Sequence, residues 1–117
     1  MVEQDVAGMS VLEYHVLLAL ANGPLHGYAL RDAVEAESHG VLAPRAGSMY
    51  RVVARLITAG WVHETTPVEP AEPHPGLARR PYALTPLGRT ALAAEARRLK
   101  RAAAMAERRL GVLRSDP

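Results

Sequence analysis

The feature that most constrains this chain is the stretch from Thr85 to Leu110, where nothing except Gly88 interrupts a helical pattern. Thr85 followed by Pro86 reads as an N-cap with proline in the first turn, where its missing amide hydrogen has no partner to lose. Leu92, Ala96, Leu99, Ala103, Ala106, Leu110 and Leu113 then recur at alternating steps of four and three, the spacing of a heptad seam. Two outcomes are open to such a helix. It folds back on its own core, or its seam takes a second copy of the chain, with the alanines permitting close approach. The seam extends too far past the other helices to be covered by them, and the expectation is a homodimer.

Ahead of this stretch, local punctuation marks off three shorter helices. Ser10 and Glu13 have the spacing of a capping box, with Met9 and Tyr14 placed for a hydrophobic staple. Leu12, Val16, Ala19 and Leu20 then form one buried stripe before Asn22-Gly23-Pro24 stops the helix. A second helix is predicted from about His26 to Ser38, with Leu30, Ala33 and Val34 on its apolar face and His39-Gly40 closing it. A third is predicted from about Pro44 to Ala59, ended by Gly60.

From Trp61 the period changes. Trp61 to Thr66 reads as a strand, residues 67–78 hold four prolines and a glycine, and Tyr82-Ala83-Leu84-Thr85 is a second short apolar run. The two runs predict a hairpin with a long proline-rich tip. The expected fold class is mainly α with a small β-hairpin: a winged helix-turn-helix over residues 1–85 and a long C-terminal dimerisation helix over residues 86–117.

Composition narrows the function. The chain of 117 residues has no cysteine, which excludes disulfides, thiolate metal sites and cysteine nucleophiles together. Its longest apolar run, Val16 to Ala21, is far short of the ~20 residues needed to span a bilayer. Glu3 and Asp5 stand where a signal peptide would be basic, so a soluble cytoplasmic protein with no membrane association is expected. The net charge of +2 conceals a division: residues 1–40 hold six acids against Arg31, whereas residues 76–117 hold ten bases against three acids. Residues 41–63 carry Arg45, Arg51 and Arg55 with no acid. The basic half suits a polyanion, and solvated arginines on an alanine-rich helix are the other reading of the C-terminal charge.

At 100° per residue, Met49, Val52, Val53, Leu56 and Ile57 fall on one side of the third helix and Gly47, Ser48, Arg51, Ala54 and Arg55 on the other. The first set predicts a core face. The second, small residues and arginines without an acid, is shaped to lie against a groove.

Three segments resemble the PadR family of transcriptional regulators, in particular its short members with one C-terminal helix. They are Gly23-Pro24-Leu25-His26-Gly27-Tyr28-Ala29-Leu30, then Gly47-Ser48-Met49-Tyr50 with Arg55-Leu56 and Ala59-Gly60-Trp61-Val62, and finally Arg80-Pro81-Tyr82-Ala83-Leu84-Thr85-Pro86-Leu87-Gly88. The resemblance covers about residues 9 to 113. It implies a dimeric repressor on a palindromic operator that lets go when a small-molecule effector binds. The chain departs from the family pattern at Met49, where leucine is usual, at Arg51, where proline is usual, and at Ala83, where an aromatic is usual.

On this reading the third helix enters the major groove of double-stranded DNA. Arg45, Ser48 and Arg51 are the candidates for base edges or adjacent phosphates, with Arg55 further along. Tyr50 either packs its ring while its hydroxyl reaches a phosphate, or is wholly structural. His26 and Tyr28 open the second helix, whose free amides favour an anion, and the resemblance also implies backbone contact there; capping is the other role for His26. Arg79 and Arg80 are expected to contact DNA from the base of the wing, with Glu69 and Glu72 keeping its tip clear of the phosphates.

In related multidrug-binding members an aromatic on the last helix stacks on flat ligands, but residues 86–117 contain no aromatic. An effector pocket is therefore expected between the first and last helices, lined by Tyr14, His15 and Met105. Catalysis is not expected. His15, His26, His39, His63 and His74 form no metal-spaced pair, no phosphate loop or nucleophile motif occurs, and no metal or cofactor is expected. The alternative to DNA binding is a winged-helix module for protein interaction or dimerisation.

Overall fold

Ser10 and Glu13 close the first helix start reciprocally. The Glu13 amide donates to Ser10 Oγ at 3.0 Å and the Ser10 amide donates to Glu13 Oε1 at 2.8 Å. From that box runs α1 (Val11–Leu20), followed by β1 (Leu25–His26), α2 (Gly27–Glu37), α3 (Ala46–Thr58), β2 (Val62–Glu64), β3 (Pro81–Leu84) and α4 (Pro86–Leu110). The structure, a computed structural model, describes residues 8–65 and 80–112. The expected proline-rich loop, with Glu69, Glu72 and Arg79, lies outside the described residues, and so does Leu113.

The architecture is mainly helical with a small antiparallel sheet of order β1-β3-β2. Val62 stands opposite Leu84 and Glu64 opposite Tyr82, forming the expected hairpin. Sequence reading placed His26 at a helix start and missed β1. Leu25 and His26 pair with Tyr82 and Pro81, 57 and 55 positions further on, which a dipeptide cannot announce by alternation.

The core gathers Val16, Leu17, Leu20, Leu30, Val34, Met49, Leu56, Val62 and Tyr82, each essentially removed from solvent. Fully burying one such aliphatic side chain stabilises the fold by roughly 1.5–3 kcal/mol. Leu17, outside the predicted stripe, is buried because α1 is central: it packs against α2, α3, α4 and β3, so more than one of its faces is covered. Ile57 departs from the expected core face. It lies about 80° around the helix from Met49 at 3.6 residues per turn, past the edge of the packed stripe, and is partly exposed. Pro44 precedes α3 rather than opening it. The N-cap is Arg45 with extended backbone, and a proline suits that approach as well as a first turn.

The turn between α2 and α3 is built on one hydroxyl and one left-handed residue. Ser38 is buried, and its Oγ accepts from the Leu42 amide at 2.9 Å while donating to the Glu35 carbonyl at 3.2 Å. His39 has φ 56°, and the His39 and Gly40 amides return to the carbonyls of Ala36 and Glu35, a Schellman ending with histidine where glycine is usual. The end of α3 repeats the motif with glycine. Gly60, at φ 83°, donates to Ile57 and Trp61 donates to Leu56.

Trp61 then meets α4. The Thr85 amide donates to the Trp61 carbonyl at 3.0 Å, Thr85 Oγ1 donates to the Gly60 carbonyl at 2.6 Å, and the same Oγ1 accepts from the Gly88 amide at 2.9 Å. A Cβ on Gly88 would lie 2.1 Å from the Trp61 carbonyl oxygen. The sequence interruption at Gly88 is thus a point of backbone contact.

Beyond this anchor α4 divides in two. Leu92 packs on the core and Glu95 is 4% exposed, whereas Leu99 is 38% and Leu110 75% exposed. The first half folds back on the chain's own helices and the second leaves its seam uncovered. Glu95 is held by Arg98, whose Nε and Nη2 reach Oε1 and Oε2 at 2.9 and 2.5 Å. Those bonds keep the Glu95 carboxyl below the usual carboxylate range, while burial pulls the other way.

Gly88→Ala forces its methyl into the Trp61 carbonyl, and overpacking of this kind costs typically 1–3 kcal/mol, occasionally more; thermal unfolding of the variant beside the wild-type chain reads the loss. Glu95 supplies a pH-dependent component. Its folded pKa is depressed, so the pair stabilises above the unfolded carboxylate's value and that stability disappears as pH falls through the lower folded value. Urea unfolding should find Glu95→Gln less stable than wild type at neutral pH, with the gap closing as the solution is acidified below the carboxylate range.

Candidate nucleic-acid interface

The face of α3 opposite its core residues is open. Gly47, Arg51, Ala54 and Arg55 are exposed and Ser48 partly so, while Met49, Val52, Val53 and Leu56 are buried beneath them. Arg51 folds toward the helix start: its Nη2 donates to Ser48 Oγ at 3.4 Å, and its Nη1 lies 3.7 Å from where a Cβ of Gly47 would be. A side chain as small as alanine at 47 would make only ordinary contact with that guanidinium. Arg45 is exposed at the N-cap.

The four helix starts among the described residues differ in a way that matters for anions. Ser10 and Thr85 cap α1 and α4 through their side chains. Neither His26 nor Arg45 makes a side-chain cap bond, and the first turns of α2 and α3 contain no acid. Amides at these two starts keep their hydrogen-bonding capacity and the positive end of the helix dipole. The capping role considered for His26 is not the one its side chain takes. Beside that start, Tyr28 is exposed and carries the Arg31 guanidinium 5.6 Å from its ring centroid.

Pairing of β1 with β3 sets His26 opposite Pro81, directly after Arg80, so the start of α2 adjoins the base of the wing. Arg80 Nη1 donates to Glu64 Oε2 at 2.8 Å. Hydrogen bonding and the charge of Glu64 hold the Arg80 guanidinium above its usual pKa, and Tyr50 lies close enough to add to the effect. Burial pushes the Tyr82 phenol up, with Glu64 reinforcing it. Tyr50, from the first half of α3, is 60% exposed, more open than a border position implies.

Sequence reading took Arg55 together with Arg45 and Arg51, and the structure ties it elsewhere. Its Nε donates to Glu13 Oε2 at 3.2 Å, while Glu13 Oε1 remains in the capping box. One carboxylate thus closes α1 and links it to the last turn of α3. Glu13 and Glu64 had no local signal for these roles, because each partner is distant in sequence.

The residues expected to line an effector pocket are partly brought together. Tyr14 and His15 meet edge to face with centroids 5.8 Å apart, and His15 Nδ1 lies 2.9 Å from the Val11 carbonyl oxygen. Met105 sits on the projecting half of α4. Among the described residues no three His, Asp or Glu side chains group as metal ligands, and no helix is long and apolar enough to cross a membrane.

Solved structures share this fold. A PadR family transcription regulator from Clostridium difficile superposes with a TM-score of 0.68 at 17% identity, over 86% of this chain and 99% of its own. Bacillus subtilis PadR, solved in complex with operator DNA, superposes with a TM-score of 0.57 at 24% identity, over 71% of this chain and 45% of its own. An uncharacterized 37.1 kDa protein in transposon TN4556 of Streptomyces fradiae is 43% identical over 86 residues, which are 74% of this chain and 22% of that protein. The chain therefore spans about a fifth of the length of that relative. The sequence model of the PadR-like transcriptional regulator family matches residues 16–94, from within α1 to within α4 and through every element that builds the open face of α3. The chain belongs to the PadR-like family of transcriptional regulators.

Proposed function

We propose that the chain is a cytoplasmic repressor that binds a palindromic operator as a homodimer, with residues 1–85 contacting DNA and residues 86–117 pairing the copies. The observation that carries this reading is the open start of α3, where Arg45, Ser48 and Arg51 lie opposite a buried apolar stripe and beside uncapped amides. A helix of this width and charge fits the major groove, and a bidentate arginine discriminates between base pairs there. His26, Tyr28 and Tyr50 flank it as phosphate contacts, and Arg79 and Arg80 serve the wing base. Arg55 is supported as a link to Glu13 and contacts DNA only at its outer edge.

The seam of α4 supports the homodimer. Leu92 and Ala96 are half-covered by the chain itself, whereas Leu99, Ala103, Ala106 and Leu110 are exposed, and Leu113 continues the spacing. Val11 and Leu18, seven residues apart on α1, are also exposed and offer a partner helix a second apolar row. A small-molecule effector is placed against Tyr14, His15 and Met105, beside the same helices, where binding would alter how they pack.

A mobility-shift and footprinting series on the DNA upstream of the chain's own gene tests the proposal. Two protected half-sites are expected, and with six to eight phosphates engaged the logarithm of affinity should fall against the logarithm of salt with a slope of roughly −5 to −7. Arg51→Ala should cost about 1–3 kcal/mol of discrimination between operator and random DNA if the guanidinium reads a base. A flat salt response overturns DNA binding and favours a protein-interaction module.

A further inference from the structure

The Arg80–Glu64 pair is poorly explained by stability. Both side chains are nearly half exposed, and open ion pairs of this kind contribute little to folding. Its position is more informative. Register sets Glu64 opposite Tyr82 on one side of β3 and His26 opposite Pro81 on the other, and Arg80, directly before β3 and close to Tyr50, carries the carboxylate at the base of the wing. A guanidinium presents one planar fork, and carboxylate and phosphate oxygens compete for it.

We propose that Glu64 is an affinity-setting residue that competes, within the chain, with the DNA phosphate for Arg80; this rests on the DNA-binding reading above. In the free protein Glu64 holds the Arg80 side chain at the wing base and cancels its charge. On binding, the guanidinium exchanges a carboxylate for a phosphate, and Glu64 is left facing the polyanion. Both effects weaken attachment to every sequence, so that the contacts made by α3 decide where the chain stays. The device suits a protein whose bases are concentrated in one half of the chain and would otherwise hold any duplex.

Glu64→Gln keeps an acceptor oxygen and removes the charge, and its exposure leaves the fold intact. Fluorescence anisotropy of the full chain with random-sequence duplex DNA over a salt series reads the effect. Binding should tighten roughly threefold to tenfold at about 0.1 M salt, with the salt slope steeper by about 1 per protomer. Glu107→Gln makes the same charge change on the exposed far half of α4 and should give less than half of that gain. In an Arg80→Ala background the Glu64→Gln gain should shrink, because the competition has been removed. No gain, a gain equal to that of Glu107→Gln, or the same gain without Arg80 overturns the proposal. A wild-type chain that binds DNA while the variant matches it removes only this role of Glu64. A wild-type chain without salt-dependent binding removes the DNA reading and this inference with it.

Discussion

Thr85 and Gly88, in the first turn of α4, hold the turn that follows α3. The Thr85 hydroxyl both caps its own helix and reaches the Gly60 carbonyl, and its amide takes the Trp61 carbonyl. Gly88 lets the two backbones meet without a side chain between them. The end of α3, the beginning of β2 and the start of α4 are therefore fixed at one place, by groups that are each at a helix terminus and would otherwise need water. The two carbonyls that follow α3 are satisfied by the N-cap residue of α4. The remainder of the core, gathered around α1, packs onto a frame whose angles this junction defines.

A second economy runs through the carboxylates. Glu13 spends one oxygen on its own helix cap and the other on Arg55, Glu64 engages Arg80, and Glu95 uses both oxygens on Arg98. Formal charge along the chain therefore overstates what the surface presents. Arg45 and Arg51 keep theirs near the start of α3, where the helix dipole has the same sign. The remaining exposed bases divide between the start of α3 and the last helix, where Arg97, Lys100, Arg101, Arg108 and Arg109 stand.

Much of this was legible because the signals are local. Ser10 with Glu13, Thr85 with Pro86, and Gly60 after an amphipathic run each satisfy backbone groups within a few residues, and all three formed as read. The core face of α3 was legible for the same reason, except for Ile57 at its edge. What escaped depends on distance along the chain. β1 exists only because β3 passes it, Leu17 is buried because distant elements cover more than one face of α1, and the Arg55–Glu13 link joins residues 42 apart. The open face itself was visible as a pattern of small and basic residues. Which of its arginines already had partners was not.

The projecting half of α4 has a mechanical consequence. The part of α4 beyond its packed turns, from Ala96 to Leu110, is about 22 Å long at 1.5 Å per residue, so a tilt of about 5° where it leaves the core carries the far end through about 2 Å. Leu92 on the core and Glu95 held by Arg98 are the clamp from which this arm extends, two turns past the glycine contact with Trp61.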